Sequence, residues 1–426
     1  MEQPITADDI SRDLIHFIAK SPSTFHAVRG IKAALLYAGF TEIREEDPWQ
    51  IEKGGKYVVT RNGSALMAFT VPQEGAEAFH ITASHCDSPT FKIKEHPEIA
   101  DGPYVKLNVE GYGGMIMSTW LDRPLSVAGR LLVTENGHLA EKLVEIDGTM
   151  LVIPSVAIHM DRSVNQHKEW KVQKDMLPLY GMTGAKTPFM DVIAAAAKVK
   201  AEDILAHDLI LYSRVPGTIW GEEREFISSP KLDDLQCAFA CFRGFTQGQK
   251  EKYISVYALF DNEEVGSATS QGAGSTFLAN TLERLARSLG YSYDETMAMI
   301  ARSFMISADN AHSVHPNHPE YADPVNRPVI NGGIVIKYSA AQKYATNAFS
   351  AAYFKKLCKD HDIPTQTFTN HSDNPGGSTL GNISNTVIAM PTVDIGLPQL
   401  AMHSSYETAG VKDTAYLVDA VTKFYE

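Results

Sequence analysis

The stretch ALFDNEEVGS, Ala258 to Ser267, ends the apolar run ISVYALF and then sets Asp261, Glu263 and Glu264 almost side by side. A run of branched, aromatic and aliphatic residues without polar alternation predicts a strand covered on both faces, as in the parallel sheets of α/β proteins. Residues directly beyond such a strand occupy the carboxyl edge of the sheet, where ligands of this fold class collect. Taken by itself the acidic turn is equally a solvated loop with a helix start behind it, so the surrounding chain has to decide.

From Ser229 onward, helical and extended patterns alternate around that strand. Helices are predicted in SSPKLDDLQCAFACFRGF (228–245), STFLANTLERLARSLG (275–290), NAFSAAYFKKLCKDH (347–361) and TAYLVDAVTKFYE (414–426). Strands are predicted in KYISVYALF (252–260), FMISAD (304–309), GGIVIKYS (332–339), TQTFTN (365–370) and TVIAM (386–390). Toward the N-terminus, apolar residues at Ile10, Leu14, Ile15, Phe17 and Ile18, and at Ile31, Ala34, Leu35 and Ala38 ahead of Gly39, keep helical spacing. The runs KYVVTR, ALMAFTV and AFHITASH that follow read as short strands, the last ending on His85. Between Lys92 and Glu225 the texture changes to closely spaced strands and turns, with one helix in PFMDVIAAAAKVK. The chain is therefore expected to be α/β, with a mixed central sheet flanked by helices built from 1–91 and 226–426, and a mostly β unit inserted at 92–225.

At 426 residues, 44% of them hydrophobic, the chain has the apolar content for two substantial cores. Its formal net charge of -13 lacks the basic stripe that a polyanion binder needs, so no nucleic acid is expected as partner. No stretch approaches the ~20 apolar residues of a membrane span. The opening MEQPITADDISRDLIHFIAK has neither the basic nor the apolar region of a secretion signal, so a cytoplasmic protein with no membrane partner is expected. Cys86, Cys237, Cys241 and Cys358 form no CxxC pair and read as buried or incidental thiols.

Polar residues gather just beyond the predicted strands. ITASHCDSP carries His85 and Asp87; SADNAHSVHPNHP carries Asp309 and then His312, His315 and His318; LPQLAMHSSYE carries His403 beyond TVDIG. In SSPKLDDLQ, Ser229 and Pro230 suit the N-cap and first position of a helix. Asp233 is then expected in the first turn, where the helix dipole alone favours a carboxylate; bridging two metals is the functional alternative. Together these side chains form a mixed N/O donor set that suits Zn²⁺, with Co²⁺ or Mn²⁺ as substitutes. Neighbouring residues at a strand end point in different directions, so one glutamate of the pair can hold metal while the other faces the attacking water. A carboxylate bound to metal is a poor proton acceptor, and the general base is therefore a second residue beside it. No HExxH, Walker A or GxGxxG pattern is present, and GYGG and QGAGS read as turns. Pro316 and Pro319 mark the histidine-rich stretch as an irregular loop, of which at most one histidine is expected to touch substrate.

The motifs SHCDSPTFKIK, WLDRPLSVAGR, LVIPSVAIHMDR, SPKLDDLQCAF, FDNEEVGSATSQGAGS, SADNAHSVHPNHPE, YATNAFS and LPQLAMHSSYE together resemble the aspartyl aminopeptidase family of dinuclear zinc metallopeptidases, in the family's order over nearly the whole chain. The resemblance implies that His85 and Asp309 hold one Zn²⁺, that Glu264 and His403 hold the other, that Asp233 bridges them and that Glu263 is the general base. It implies release of N-terminal amino acids from peptide substrates. His159, in AIHMDR, matches a family histidine that reaches the active site of a neighbouring subunit. The insert corresponds to a dimerisation domain, and assembly of dimers into a dodecamer is implied. Where acid-preferring relatives carry a lysine just before YATN or YASN, this chain reads SAAQKYATN, with Ala340 and Ala341 there. Lys337 and Lys343 are the candidate replacements, and a neutral or apolar preference stands beside the acidic one. The competing readings are a dinuclear deacylase or carboxypeptidase-like hydrolase, and a non-catalytic shell-forming homologue.

Overall fold

The computed structural model describes residues 5–184, 187–248, 252–374 and 376–426, and Met1 to Pro4 of the opening stretch lie outside them. A central sheet runs, edge to edge, through Thr41–Glu42, Lys56–Arg61, Ala65–Thr70, Tyr253–Phe260, Ala78–His85, Phe304–Ala308, Thr392–Gly396, Ile334–Tyr338 and Thr365–Thr369. Its middle four strands, Tyr253–Phe260 to Thr392–Gly396 in that order, are parallel, with antiparallel pairings on both sides. Every residue of Ala78–His85 is buried, as a parallel strand covered on both faces requires.

Strand alternation assigns the two faces. Tyr257 and Leu259 join one core with the helices Ala7–Ala19, Thr24–Tyr37, Leu232–Gln247 and Val411–Tyr425. Val256, Ala258 and Phe260 join the opposite core with Phe277–Ser288 and Tyr293–Arg302. A second, antiparallel sheet is made entirely from residues 90–213, in the order His138–Glu145, Leu125–Glu135, Ile204–Ser213, Thr90–Asp101, Tyr104–Tyr112 and Leu179–Met182. It packs its own core with the helix Phe189–Ala197. A third, small sheet joins Thr218–Trp220, Phe226–Ser229, Glu407–Gly410, Pro398–Leu400 and Ala311–His312. The architecture is the expected mixed α/β one. All of the cysteines are free and buried, and among the described residues no helix is long and apolar enough to cross a membrane.

Three local expectations differ from the structure. TVIAM is not a strand; the chain there leaves the short helix Leu380–Ser384, and pairing begins only beyond Pro391, at Thr392–Gly396. A proline offers no N–H to a ladder and favours the strand's threshold over its interior. A further helix, Tyr293–Arg302, went unread, although Ser292 and Glu295 form a reciprocal capping box at its start. Ser229 is not an N-cap: it ends the strand Phe226–Ser229, Lys231 is left-handed (φ +57°), and Asp233 keeps ψ 112° ahead of a cis bond to Asp234. Distant partners account for the departure. The Asp233 N–H donates to Glu407 Oε2 (3.0 Å) and its carbonyl accepts from Ser88 Oγ (2.7 Å), so neither group enters a helical ladder.

Candidate metal centre

Register brings the donors together. His85 closes its strand opposite Phe260, and Ser307 lies opposite Ala83, which sets Asp309 level with His85. From Phe260 the chain passes Asp261 and the left-handed Asn262 (φ +60°) into a single 3-10 turn, Glu263–Val265. His403 (φ +67°) is held in the loop between Pro398–Leu400 and Glu407–Gly410. Left-handed residues other than glycine persist where surrounding structure over-determines them, and they concentrate at functional sites. Gly396 permits the tight approach of the neighbouring strand: a Cβ there would lie 2.0 Å from the Asp309 carbonyl oxygen.

The distances describe one cluster with a shared centre. His85 Nε2 lies 3.6 Å from Asp233 Oδ1 and 3.9 Å from Glu263 Oε2, while His403 Nε2 lies 3.4 Å from Asp233 Oδ2 and 3.2 Å from Glu264 Oε2. Asp233 thus shows one oxygen to each histidine. Donor atoms of His85, Asp233, Asp234 and Asp309 fall within 4.8 Å of one another, as do those of His85, Glu263 and Glu264, and of Asp233, Glu264 and His403. Two ligands bound tetrahedrally to one zinc at ~2.0–2.2 Å sit roughly 3.4 Å apart, close to these separations.

A surrounding layer aims the donors. His85 Nδ1 lies 3.2 Å from both the carbonyl and Oδ1 of Asp87, and His403 Nδ1 lies 2.8 Å from the Gly114 carbonyl. Donation of each Nδ1–H to oxygen leaves the Nε2 lone pair facing the cluster, the arrangement that metal-binding histidines favour. The Asp87 carboxylate also accepts from the N–H groups of Glu263 (3.2 Å) and Glu264 (3.1 Å) and from Tyr112 (2.6 Å). Glu407 accepts from the N–H groups of Asp233 (3.0 Å) and His403 (2.7 Å), tying two donors to one carboxylate. Asp234 Oδ2 accepts from the His85 N–H at 3.1 Å.

Electrostatics calls for positive charge in the middle. Burial pushes Glu263 up to about 8 against the opposing pull of His85, and burial together with the Asp233 charge pushes Glu264 well above the usual carboxylate range. Burial likewise raises Asp309, although the Lys337 ammonium pulls the other way, and raises Glu407 to about 8. For Asp233 burial is overridden by the two facing imidazoles of His403 and His85, which when protonated hold it below its ordinary value. Asp233 Oδ1, Asp234 Oδ1 and Glu264 Oε1 are buried with no hydrogen-bond donor. An unsatisfied buried acceptor is costly, and a divalent cation satisfies several at once. Imidazole plus carboxylate is a donor set that zinc accepts.

Thus His85, Asp233, Glu263, Glu264, Asp309 and His403 all meet at one edge of the sheet. His159 does not join them; it is exposed in the turn around 158–160. Ala340, Ala341 and Lys343 are exposed, whereas Lys337 is buried with Nζ 3.4 Å from Asp309 Oδ1. His318 pairs with Glu320 and stacks on Tyr321 in an exposed loop, while the His312 ring meets the edge of Phe368. Sequence reasoning passed over the aiming roles of Asp87, Asp234 and Glu407. The acids beside His85 and Asp233 and four residues beyond His403 were the available signal.

The whole chain has counterparts among known proteins. A family model described as aminopeptidase I zinc metalloprotease (M18) matches residues 17–425. The probable M18 family aminopeptidase 2 of Clostridium novyi (strain NT) is 46% identical over 424 residues, covering 97% of this chain and 98% of that one. Aspartyl aminopeptidase 4 of Saccharomyces cerevisiae is 35% identical over 471 residues, covering 100% and 96%. Among solved structures, a chain of the Ape4 and Nbr1 complex matches with a TM-score of 0.96 at 34% identity, covering 99% of this chain and 86% of that one. A chain of the S. cerevisiae mApe1 dodecamer matches with a TM-score of 0.87 at 27% identity, covering 98% and 96%.

Because Glu263 and Glu407 keep their protons up to about pH 8, and Glu264 holds its own above the usual range, a cation entering the cluster displaces protons. Protonated carboxylates compete at low pH, so zinc affinity of the metal-free protein is expected to rise from about pH 6 to about pH 8. Titration calorimetry in buffers of different ionisation enthalpy measures both the affinity and the released protons. A flat profile would mean that the carboxylates are already ionised.

Proposed function

The chain belongs to the M18 family of aminopeptidase I zinc metalloproteases, and from that premise we propose that a pair of zinc ions occupies the carboxylate cluster. His85 and Asp309 hold one, Glu264 and His403 the other, and Asp233 lies between them. The enzyme is a metallo-aminopeptidase. What supports the metal assignment is the set of buried oxygens, Asp233 Oδ1, Asp234 Oδ1 and Glu264 Oε1, that no protein donor satisfies. Cobalt or manganese suits the same donors as a substitute.

When bound, zinc supplies a Lewis acid for the scissile carbonyl and lowers the pKa of the attacking water. Glu263 takes the water's proton and passes it to the leaving amine. Its carboxylate faces His85 Nε2 at 3.9 Å while that of Glu264 faces His403, so it lies at the cluster without sharing its neighbour's position. Glu264, clamped through its N–H to the same Asp87 carboxylate, turns its own oxygen to His403 and serves as ligand. The free amino end of the peptide docks among the cluster's carboxylates, which confines cleavage to chain ends.

Lys337 supports a preference for acidic N-terminal residues. Its ammonium is buried beside Asp309, so it can reach a side-chain carboxylate bound at the centre, which the exposed Lys343 cannot match. On this reading Lys337 takes the place of the basic group absent at Ala340 and Ala341. One curated relative is itself called an aspartyl aminopeptidase. The mApe1 relative forms a dodecamer, and we assign similar self-association here, through the inserted unit 92–225 within dimers. Such packing would carry His159 to a neighbouring subunit's site, where it steadies charge developing on the carbonyl oxygen. The free, buried cysteines fit a reducing, cytoplasmic setting. A deacylase or carboxypeptidase-like activity has less support, since the curated relatives compared are aminopeptidases.

Replacing Glu263→Gln is expected to lower kcat by ~10²–10⁴ with metal content unchanged; turnover near wild type at full metal loading removes Glu263 as base. A panel of amino-acid chromogenic amides tests the preference: Lys337→Met should lower kcat/KM for Asp and Glu substrates by roughly 10–100-fold relative to Leu. Equal losses on all substrates would detach Lys337 from selectivity. His159→Phe should reduce kcat by ~10²–10³ with zinc content and particle size by light scattering preserved, and an unaltered rate excludes the cross-subunit role.

A further inference from the structure

One hydroxyl of the second sheet stands at both approaches to the Glu263–Glu264 pair. Tyr112 closes the strand Tyr104–Tyr112 opposite Thr90, in a sheet that packs its own core. Its hydroxyl donates to Asp87 Oδ2 at 2.6 Å and accepts from Asn262 Nδ2 at 2.9 Å. Burial and the neighbouring Asp87 charge push the titration of the phenol upward, so the proton stays on Tyr112 and the hydroxyl is the donor toward Asp87.

The Asp87 carboxylate is buried and fully engaged. Its Oδ1 faces His85 Nδ1 and the Glu263 N–H, each at 3.2 Å, and its Oδ2 faces the Glu264 N–H at 3.1 Å and Tyr112. Each oxygen thus fills its two lone pairs. Three of the four partners belong to the residues that Asp87 aims, so they cannot serve as its fixed reference; Tyr112, from another sheet, makes the shortest contact and can. Without that hydroxyl the carboxylate is free to turn about its Cβ–Cγ bond, which loosens the His85 ring and both amides together. The second approach is Asn262, left-handed at φ +60° and directly ahead of the Glu263–Val265 turn. Thr269 and Gln271 donate to its side-chain oxygen at 2.9 and 2.8 Å, while its amide nitrogen donates to Tyr112.

We infer that Tyr112 is a positioning residue of the metal centre: through Asp87 and Asn262 it fixes the His85 ring and the carboxylate of Glu263 relative to the second sheet. The kinetic part of this inference rests on the peptidase reading above; the metal-binding part does not. Tyr112 and Asp87 line a cavity of about 270 Å³ that none of the six clustered residues lines, so the hydroxyl acts from outside the centre and leaves substrate contacts alone.

Tyr112→Phe in the full chain, which removes one oxygen atom, tests the assignment against Tyr212→Phe. Tyr212 lines the same cavity, but its hydroxyl bonds Glu145 and the Ile146 carbonyl within the second unit. Tyr112→Phe is expected to weaken zinc about tenfold in competition with a chromophoric chelator, and at saturating zinc to lower kcat roughly 10–100-fold on the amide the wild type cleaves fastest, with KM within about twofold. Tyr212→Phe should match the wild type in both. Zinc affinity or kcat at the wild-type level in Tyr112→Phe, a loss confined to KM, or equal losses in Tyr212→Phe overturns the inference. Should Tyr112→Phe fail to fold by circular dichroism, Asn262→Gly, which tolerates the left-handed backbone and removes the partner of the hydroxyl, decides by the same measurements. A zinc-binding wild type that cleaves no amide rejects the peptidase reading, and zinc affinity alone then decides the role of Tyr112.

Discussion

Negative charge buried against negative charge is the constraint on which the rest of this structure turns. Asp233, Glu263, Glu264 and Asp309 share a small volume at the carboxyl edge of the central sheet, where burial alone opposes ionisation of Glu263, Glu264 and Asp309. Nothing in the hydrophobic core asks for such a cluster; Ile81, Val256 and Ile306 pack without it. The arrangement becomes favourable only when compact positive charge sits among the oxygens, and two imidazoles alone leave Asp233 Oδ1 and Glu264 Oε1 unsatisfied. The register of three parallel strands, the hydrogen bonds that override the start of a helix at Asp233, and the left-handed backbone at His403 all serve to hold that charge in place.

The adjacency of Glu263 and Glu264 has a concrete explanation at this level. One carboxylate, Asp87, accepts both of their N–H groups and also fixes the ring of His85. With the backbone clamped at two successive amides, the side chains diverge, one toward His85 and one toward His403. Two carboxylates adjacent in the chain therefore face different histidines without competing for one position.

Much of this was legible in the residues themselves. The strand-like runs ending in His85, Asp261 or Asp309 mark the edge of the sheet where chemistry collects, and the apolar run before Asp261 identifies a strand covered on both faces. Asp233 was legible as a site residue but not in its backbone, since the partner that draws its N–H away from a helix is Glu407, which belongs to a different element. TVIAM looked extended because its residues favour strands, and the imposing neighbour was Pro391. Of the two lysines the sequence offers near Ala340 and Ala341, Lys337 reaches Asp309 from inside a strand and Lys343 is exposed. His159 is exposed and stands apart from the cluster within the single chain.

The loop that follows the strand Tyr104–Tyr112 grips the His403 loop at several points. Gly114 receives the His403 ring, the Ile116 N–H donates to the His403 carbonyl (2.9 Å), and Thr119 bonds Ser405 through both its hydroxyl and its carbonyl. Tyr112 reaches the clamp at Asp87, and Gly113 passes so near Glu264 that a Cβ there would lie 3.1 Å from the Glu264 Cβ. The metallocentre is consequently co-owned by two sheets with separate cores. A displacement of one sheet against the other would therefore move the clustered donors, and neither half can be transplanted without taking part of the other.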